Sequence, residues 1–169
     1  AKQLVLALTA RHWRLSLAES CTGGLVSAAV TDIAGASAVF THGFITYANE
    51  AKIGVLGVEP ALIAEYGAVS PQVAASMAEG ALKVAGSDLA LAITGIAGPD
   101  GGTATKPVGL VWFGLMKKND REASSFSHLF SGTRTQVRQQ ATHTALQKLL
   151  EATLENASTP DNATDSESN

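Results

Sequence analysis

Ser20 stands in the stretch Ala18-Glu19-Ser20-Cys21-Thr22-Gly23-Gly24, between the apolar run Leu15 to Ala18 and a helix-like run from Leu25 to Ile33. Small, hydroxylated and glycine residues at a strand-to-helix turn place N–H groups and side-chain oxygens at the positive end of a helix. Such a turn either holds an anion or aims a serine at a substrate, and the second use is favoured. On its local sequence Ser20 reads as a capping hydroxyl or as a nucleophile. A nucleophilic serine needs a base, because it is too weak an acid to attack unaided. His12, His42, His128 and His143 are the histidine candidates; none lies at a strand end beside a glycine loop, and there is no Gly-x-Ser-x-Gly elbow. Cys21 has no histidine placed to activate it and reads as a small buried thiol.

Lys52 is the better base. With Asn49 as cap, it falls in the first turn of a short helix, where the helix dipole disfavours a cation by roughly 0.3–1 kcal/mol. That field, with partial burial, lowers the lysine pKa toward the neutral amine that a general base requires. The same residue also reads as a solvated lysine. Tyr47 ends the preceding strand, with its hydroxyl aimed into the same cleft or its ring in the core. Arg134 follows a cap at Thr133 and suits a phosphate or carboxylate; Arg138, one turn on, is the weaker candidate and reads as a partner for an acid. The run Thr94 to Gly102 (TGIAGPDGG) is a second glycine-rich turn, whose backbone can approach a ligand closely. Thr22, Gly23, Thr94, Gly95 and Arg134 are therefore the candidate substrate contacts. There is no P-loop, no Gly-x-Gly-x-x-Gly after the first strand and no metal-ligand spacing. Tyr47 and Lys52 are five apart, not the four of a Tyr-x-x-x-Lys pair. No cofactor or metal is expected.

The elements that carry these residues can be read in order. A helix is expected over 2–12, a strand over 14–19, a helix capped by Thr22 to about 33 and stopped by Gly35, and a strand over 40–48. Helices follow over 50–56, 60–66 and, after the Ser70-Pro71 start, 71–85. Residues 89–96 form an apolar strand buried on both faces. Strands over 108–117 and 121–130 form a hairpin, and a last helix starts after Thr133, with Val137, Ala141, Ala145, Leu149 and Leu150 facing the core. This alternation predicts an α/β fold, a three-layer α/β/α sandwich with a mixed, mostly parallel sheet. Ligands then sit beyond the carboxyl ends of the strands, where loops 19–24, 47–52 and 94–107 gather.

Composition narrows the classes. The 169 residues suggest one domain over 1–155, and a hydrophobic fraction of 46% suffices for a core. The net charge of −3 is uneven: residues 151–169 hold five acids and no base, leaving the rest slightly basic. No basic run of a nucleic-acid module is present. One cysteine excludes an intrachain disulfide, and no segment is apolar and long enough to span a membrane. A cytoplasmic protein is expected, with residues 156–169 as a disordered acidic tail.

The segments AESCTGG (18–24), TDIAGAS (31–37), GFITYANEAK (43–52), GAVSPQVAASMAEGAL (67–82), ITGIAGPDGGT (93–103), KPVGLVWFG (106–114) and SGTRTQVRQQA (131–141) together resemble the C-terminal domain family of the competence/damage-inducible protein CinA, which includes stand-alone nicotinamide-nucleotide amidases. The resemblance spans nearly all of residues 15–150. It implies hydrolysis of the carboxamide of nicotinamide mononucleotide to nicotinate mononucleotide and ammonia, in pyridine nucleotide salvage. It implies a nucleophile at Ser20, a base at Lys52, a tyrosine at Tyr47, a binding threonine at Thr94 and a ligand-binding arginine at Arg134. It also implies a homo-oligomer. Two other readings stand beside it: a nucleotide- or anion-binding module without catalysis, in which Lys52 points to solvent, and an amidase or peptidase acting on a different amide.

Overall fold

The computed structural model describes residues 1–155; the tail expected to be disordered, 156–169, lies outside the described residues. Five strands, β1 (Leu15–Glu19), β2 (Phe40–Ile45), β3 (Leu89–Gly95), β4 (Leu110–Lys117) and β5 (Ser124–Leu129), form one sheet in the order β2-β1-β3-β4-β5. β1 pairs in parallel with both β2 and β3, whereas β3–β4 and β4–β5 are antiparallel. Four of the five strands therefore run in one direction, while the four pairings divide evenly between the two kinds.

Six α-helices cover the sheet: α1 (Lys2–Arg11), α2 (Leu25–Thr31), α3 (Asn49–Leu56), α4 (Pro60–Tyr66), α5 (Pro71–Ala85) and α6 (Arg134–Leu154). The alternation of side chains along the strands assigns them to two layers. Leu15, Leu17, Leu89, Leu91, Ile93 and Phe113 face Leu4 and Leu8 of α1, Val26 and Val30 of α2, and Val137, Ala141, Ala145 and Leu149 of α6. Ala18, Ala90 and Ala92 face the opposite layer, with Leu56 of α3 and Val73, Met77, Ala78 and Ala81 of α5. Leu150 is only partly buried. Among the described residues no helix is long and apolar enough to cross a membrane.

Two helix starts follow their expected chemistry. The Ser70 hydroxyl accepts from the Val73 N–H at 3.3 Å ahead of Pro71. Thr133 and Gln136 form a reciprocal capping box at the start of α6. Several boundaries differ: α2 ends at Thr31, short of the stop expected at Gly35, which instead precedes the 3-10 turn Ala36–Ala38, and three strands are shorter than expected. β2 stops at Ile45, because its only partner among the described residues, β1, ends at Glu19. β4 begins at Leu110, where a turn from the Pro107 carbonyl to the Leu110 N–H first releases the chain. β5 begins only at Ser124, opposite Leu115, because the Asp120 carboxylate holds the Lys117 N–H in the preceding turn.

The α5 side of the sheet is lined with small residues. Ala18 lies beside Ala92, and Ala92 beside Gly114, across three adjacent strands. This row lets α5 approach until an added Cβ at Gly114 would collide with the Ala74 carbonyl. The contact is with main chain, which cannot rotate away. Gly114→Ala is expected to lower stability by about 1–3 kcal/mol in urea unfolding, as overpacking does; a variant as stable as the native protein would show that α5 is free to shift.

Candidate active site

The carboxyl ends of the three parallel strands β1, β2 and β3 lie at one edge of the sheet, next to the point where the chain passes from β2 across β1 to β3. The segments that leave them meet the loop before α5 and the first residue of α6. Together they enclose a cavity of about 220 Å³ lined by Ser20, Cys21, Tyr47, Asn49, Lys52, Ala68, Val69, Thr94, Gly95, Ala97 and Arg134. Six of the eight candidate residues thus converge: Ser20, Lys52, Tyr47, Thr94, Gly95 and Arg134. None of the four histidines lines the cavity.

Lys52 is 1% exposed. Its Nζ lies 3.2 Å from Ser20 Oγ, 2.9 Å from the Thr46 carbonyl and 3.1 Å from the Tyr47 carbonyl. No carboxylate lies within ion-pair distance of it among the described residues. Burial therefore pushes its pKa below the ordinary lysine value of 10.5, against the weaker opposing pull of Cys21 and Glu50. The three neighbours determine what the amine can do. Carbonyls only accept, so they take two N–H bonds; a neutral amine then has its lone pair left for the Ser20 hydroxyl. The helix that carries Lys52 starts one residue earlier than expected. Ala48 occupies the cap position with no side-chain cap bond, and Asn49 is the first helical residue, on the cavity wall.

Tyr47 enters this network through its backbone. The residue is 60% exposed, so its ring is not in the core, and its hydroxyl accepts from Arg134 Nη2 at 3.0 Å; Lys52 is met by the Tyr47 carbonyl instead. The reason is geometric: Tyr47 lies in the segment that climbs from β2 into α3, with its ring over the cavity mouth. Arg134 also donates from Nη1 to the Gly98 carbonyl at 2.9 Å, tying together the loops after β2 and β3. Thr94 is buried, and its hydroxyl donates to the Ala68 carbonyl at 2.8 Å. Cys21 is buried beside Ser20, which pushes its thiol up to about 11 and leaves it a poor nucleophile at neutral pH.

Thr22 and Gly23 do not line the cavity, contrary to expectation. The chain doubles back after Ser20, with the Gly23 N–H donating to the Ser20 carbonyl at 3.0 Å, and Thr22 is fully buried. Nor does Thr22 cap α2. Its hydroxyl has no partner among the described residues, and the cap position belongs to Gly24 at φ 100°, a conformation open to glycine. The capping group is Glu19, which the sequence reading passed over. Its fully buried carboxylate accepts from the N–H groups of Gly24 (3.0 Å), Val26 (3.2 Å) and Ser27 (2.8 Å) and from the Ser27 hydroxyl (2.7 Å). The anion at this helix end is the protein's own. A lone acid at the end of an otherwise apolar strand, before a Thr-Gly-Gly turn, was the available signal. Arg138 pairs with no acid among the described residues; it holds the Cys21 and Thr22 carbonyls at 3.0 and 2.9 Å. Ala68, Val69 and Ala97 were also missed, being small apolar residues in loops with no chemistry of their own.

The chain is similar to known proteins over most of its length. The model of the CinA C-terminal domain matches residues 1–153. The nicotinamide-nucleotide amidohydrolase PncC of Enterobacter agglomerans is 51% identical over 150 residues, 89% of this chain and 91% of that protein. The protein of the same name from Escherichia coli K12 is 50% identical, over 92% of this chain and 94% of its own length. A CinA-like protein of Geobacter sp. strain M21 is also 50% identical, but the match is only 38% of that longer protein. Among solved structures, the competence/damage inducible protein CihA from Agrobacterium tumefaciens superposes with a TM-score of 0.85 at 43% identity, covering 88% of this chain and 90% of that one.

Removing the Glu19 carboxylate leaves four donors at a buried helix start without their acceptor. Glu19→Ala is expected to cost about 2–4 kcal/mol of stability in urea unfolding, and Glu19→Gln less, because one oxygen is kept. An alanine variant within 0.5 kcal/mol of native, a margin of about one weak hydrogen bond, would mean that water replaces the carboxylate.

Proposed function

The chain belongs to the CinA C-terminal domain family, and from that premise we propose that it is an amidohydrolase that converts nicotinamide mononucleotide to nicotinate mononucleotide and ammonia, with Ser20 as nucleophile and Lys52 as base. The observation that carries this reading is the buried amine, with two carbonyls on its protons and Ser20 on its remaining side. A binding module has no use for a desolvated lysine turned away from the ligand's solvent side. The names of relatives near 50% identity support a nicotinamide nucleotide as the substrate.

The chemistry follows from the proton inventory. As Ser20 Oγ bonds to the carboxamide carbon, its proton passes to the Lys52 lone pair and the carbonyl π electrons move onto oxygen. When the tetrahedral species collapses, the carbon–nitrogen bond breaks, Lys52 returns the proton to the departing nitrogen, and ammonia leaves. The ester on Ser20 is then cleaved by water, with Lys52 again taking the proton and handing it to Ser20. Backbone N–H groups of the turns after β1 and β3 stabilise the oxyanion, each such donor contributing about 2.7–4 kcal/mol. The cavity of about 220 Å³ suits the nicotinamide ring and leaves the ribose phosphate at its mouth, where Arg134 binds the phosphate and Tyr47 flanks the entrance. That remote binding positions the amide.

Ammonia release from nicotinamide mononucleotide by metal-free protein tests the reading. Ser20→Ala and Lys52→Met are each expected to lose at least ~10³-fold in kcat while nucleotide binding persists. Equal loss of turnover and binding in Lys52→Met would make Lys52 a phosphate ligand, and release by Ser20→Ala would discard that nucleophile.

The pH profile gives an independent check. Only the neutral amine has a lone pair, so kcat/KM should rise with pH through the Lys52 pKa. Because burial lowers that pKa, the midpoint should lie below 10.5. A limb at or above the ordinary lysine value would show that the amine is solvated.

A further inference from the structure

Six of the eight backbone amides from Ser20 to Ser27 donate to an oxygen. Ser20 donates to the Ile93 carbonyl, Gly23 to Ser20 and Leu25 to Thr22, while Gly24, Val26 and Ser27 donate to Glu19. Only the amides of Cys21 and Thr22 have no oxygen acceptor among the described residues. Both residues are buried, and buried N–H groups are rarely left without a partner. These are the same two residues whose carbonyls are held by Arg138, through Nε to Cys21 at 3.0 Å and Nη2 to Thr22 at 2.9 Å.

We propose that Arg138 is a positioning residue of the reaction: by gripping the carbonyls of Cys21 and Thr22 it fixes the nucleophile turn so that the Cys21 N–H, which has no oxygen acceptor of its own, faces the oxyanion formed when Ser20 attacks. The inference rests on the amidase reading above. In a planar trans peptide the N–H points opposite to the carbonyl. The Thr22 carbonyl held by Arg138 shares its peptide with the Gly23 N–H, which donates to the Ser20 carbonyl, and the Ser20 carbonyl shares its peptide with the Cys21 N–H; Arg138 therefore acts on the Cys21 N–H through the Ser20–Gly23 bond, which turns it to the side opposite the Ser20 carbonyl. The Ser20–Gly23 bond pins the other side of the turn, and Cys21 lies on the cavity wall next to Ser20. The residue after a serine nucleophile is a natural oxyanion donor, because its amide follows Ser20 directly in the chain. A guanidinium on the Thr22 carbonyl also polarises that peptide, which strengthens the Gly23 N–H that holds the Ser20 carbonyl. Lysine cannot reproduce this, since it is a point charge and the planar fork spans two carbonyls at once.

The grip on the turn predicts where the loss falls in a variant. An interaction made only with the oxyanion lowers kcat and leaves KM unchanged. Arg138→Gln is expected to lose about 10²-fold in kcat for ammonia release from nicotinamide mononucleotide, with KM within about three-fold of native and the midpoint of the pH profile unmoved. Arg138→Lys is expected to lose about ten-fold in kcat, again with KM held. If circular dichroism shows that Arg138→Gln does not fold, Arg138→Lys carries the test. A folded variant with native kcat overturns the inference, and so does a loss that falls in KM, which would make Arg138 a substrate ligand. A native protein that releases no ammonia overturns the amidase reading and this inference with it, whereas native activity beside an unaffected variant overturns the inference alone.

Discussion

A lysine amine removed from water without a carboxylate partner is the constraint around which the site is built. Burying an ammonium in this way costs several kcal/mol, so the neutral form gains by default. The protein accommodates that amine with two main-chain carbonyls, from Thr46 and Tyr47, a few residues before Lys52 in the chain. The segment that turns from β2 into α3 thus wraps its own lysine. Ser20 is the third neighbour, supplied by a different strand. The contact between β1 and β2 in the sheet brings the pair together, and their register sets the distance.

The nucleophile turn is held by charges of opposite sign on its two kinds of backbone group. Glu19 collects N–H groups at the start of α2, and Arg138 from α6 collects carbonyls. Both clamps lie in the layer of α2 and α6, on the far side of β1 from Lys52. Strand alternation explains the division: Glu19 points to one face of the sheet, and Ser20, the next residue, toward the other. A serine that must be fixed within tenths of an ångström is therefore braced from behind by groups that never face the cavity. Arg134 has a parallel task at the cavity mouth, where it ties Gly98 and Tyr47 together.

Much of this architecture was legible in the chain. The nearly unbroken apolar character of 89–96, the Ser70-Pro71 start and the Thr133 cap each follow from local physics, and they placed β3, α5 and α6 closely. Strand ends were less legible, because a strand stops where its neighbour stops, as β2 does at Ile45. The capping of α2 was misread for a related reason. Thr22 has the usual chemistry and position of a cap, but a carboxylate five residues before Gly24 reaches three amides at once.

The sequence by itself determined the elements, their alternation and the candidate chemistry of Ser20, Lys52, Arg134 and the two glycine turns, since these depend on neighbours within a helix turn or a strand. Tertiary structure alone decided the partners. It placed Lys52 at 3.2 Å from Ser20 across 32 residues of chain, turned the Tyr47 hydroxyl to Arg134 rather than to the serine, and brought Arg138 to the carbonyls of Cys21 and Thr22. Those contacts depend on sheet register and on how α6 lies across the strand ends. Both are set by packing between elements distant in sequence, which no local pattern encodes.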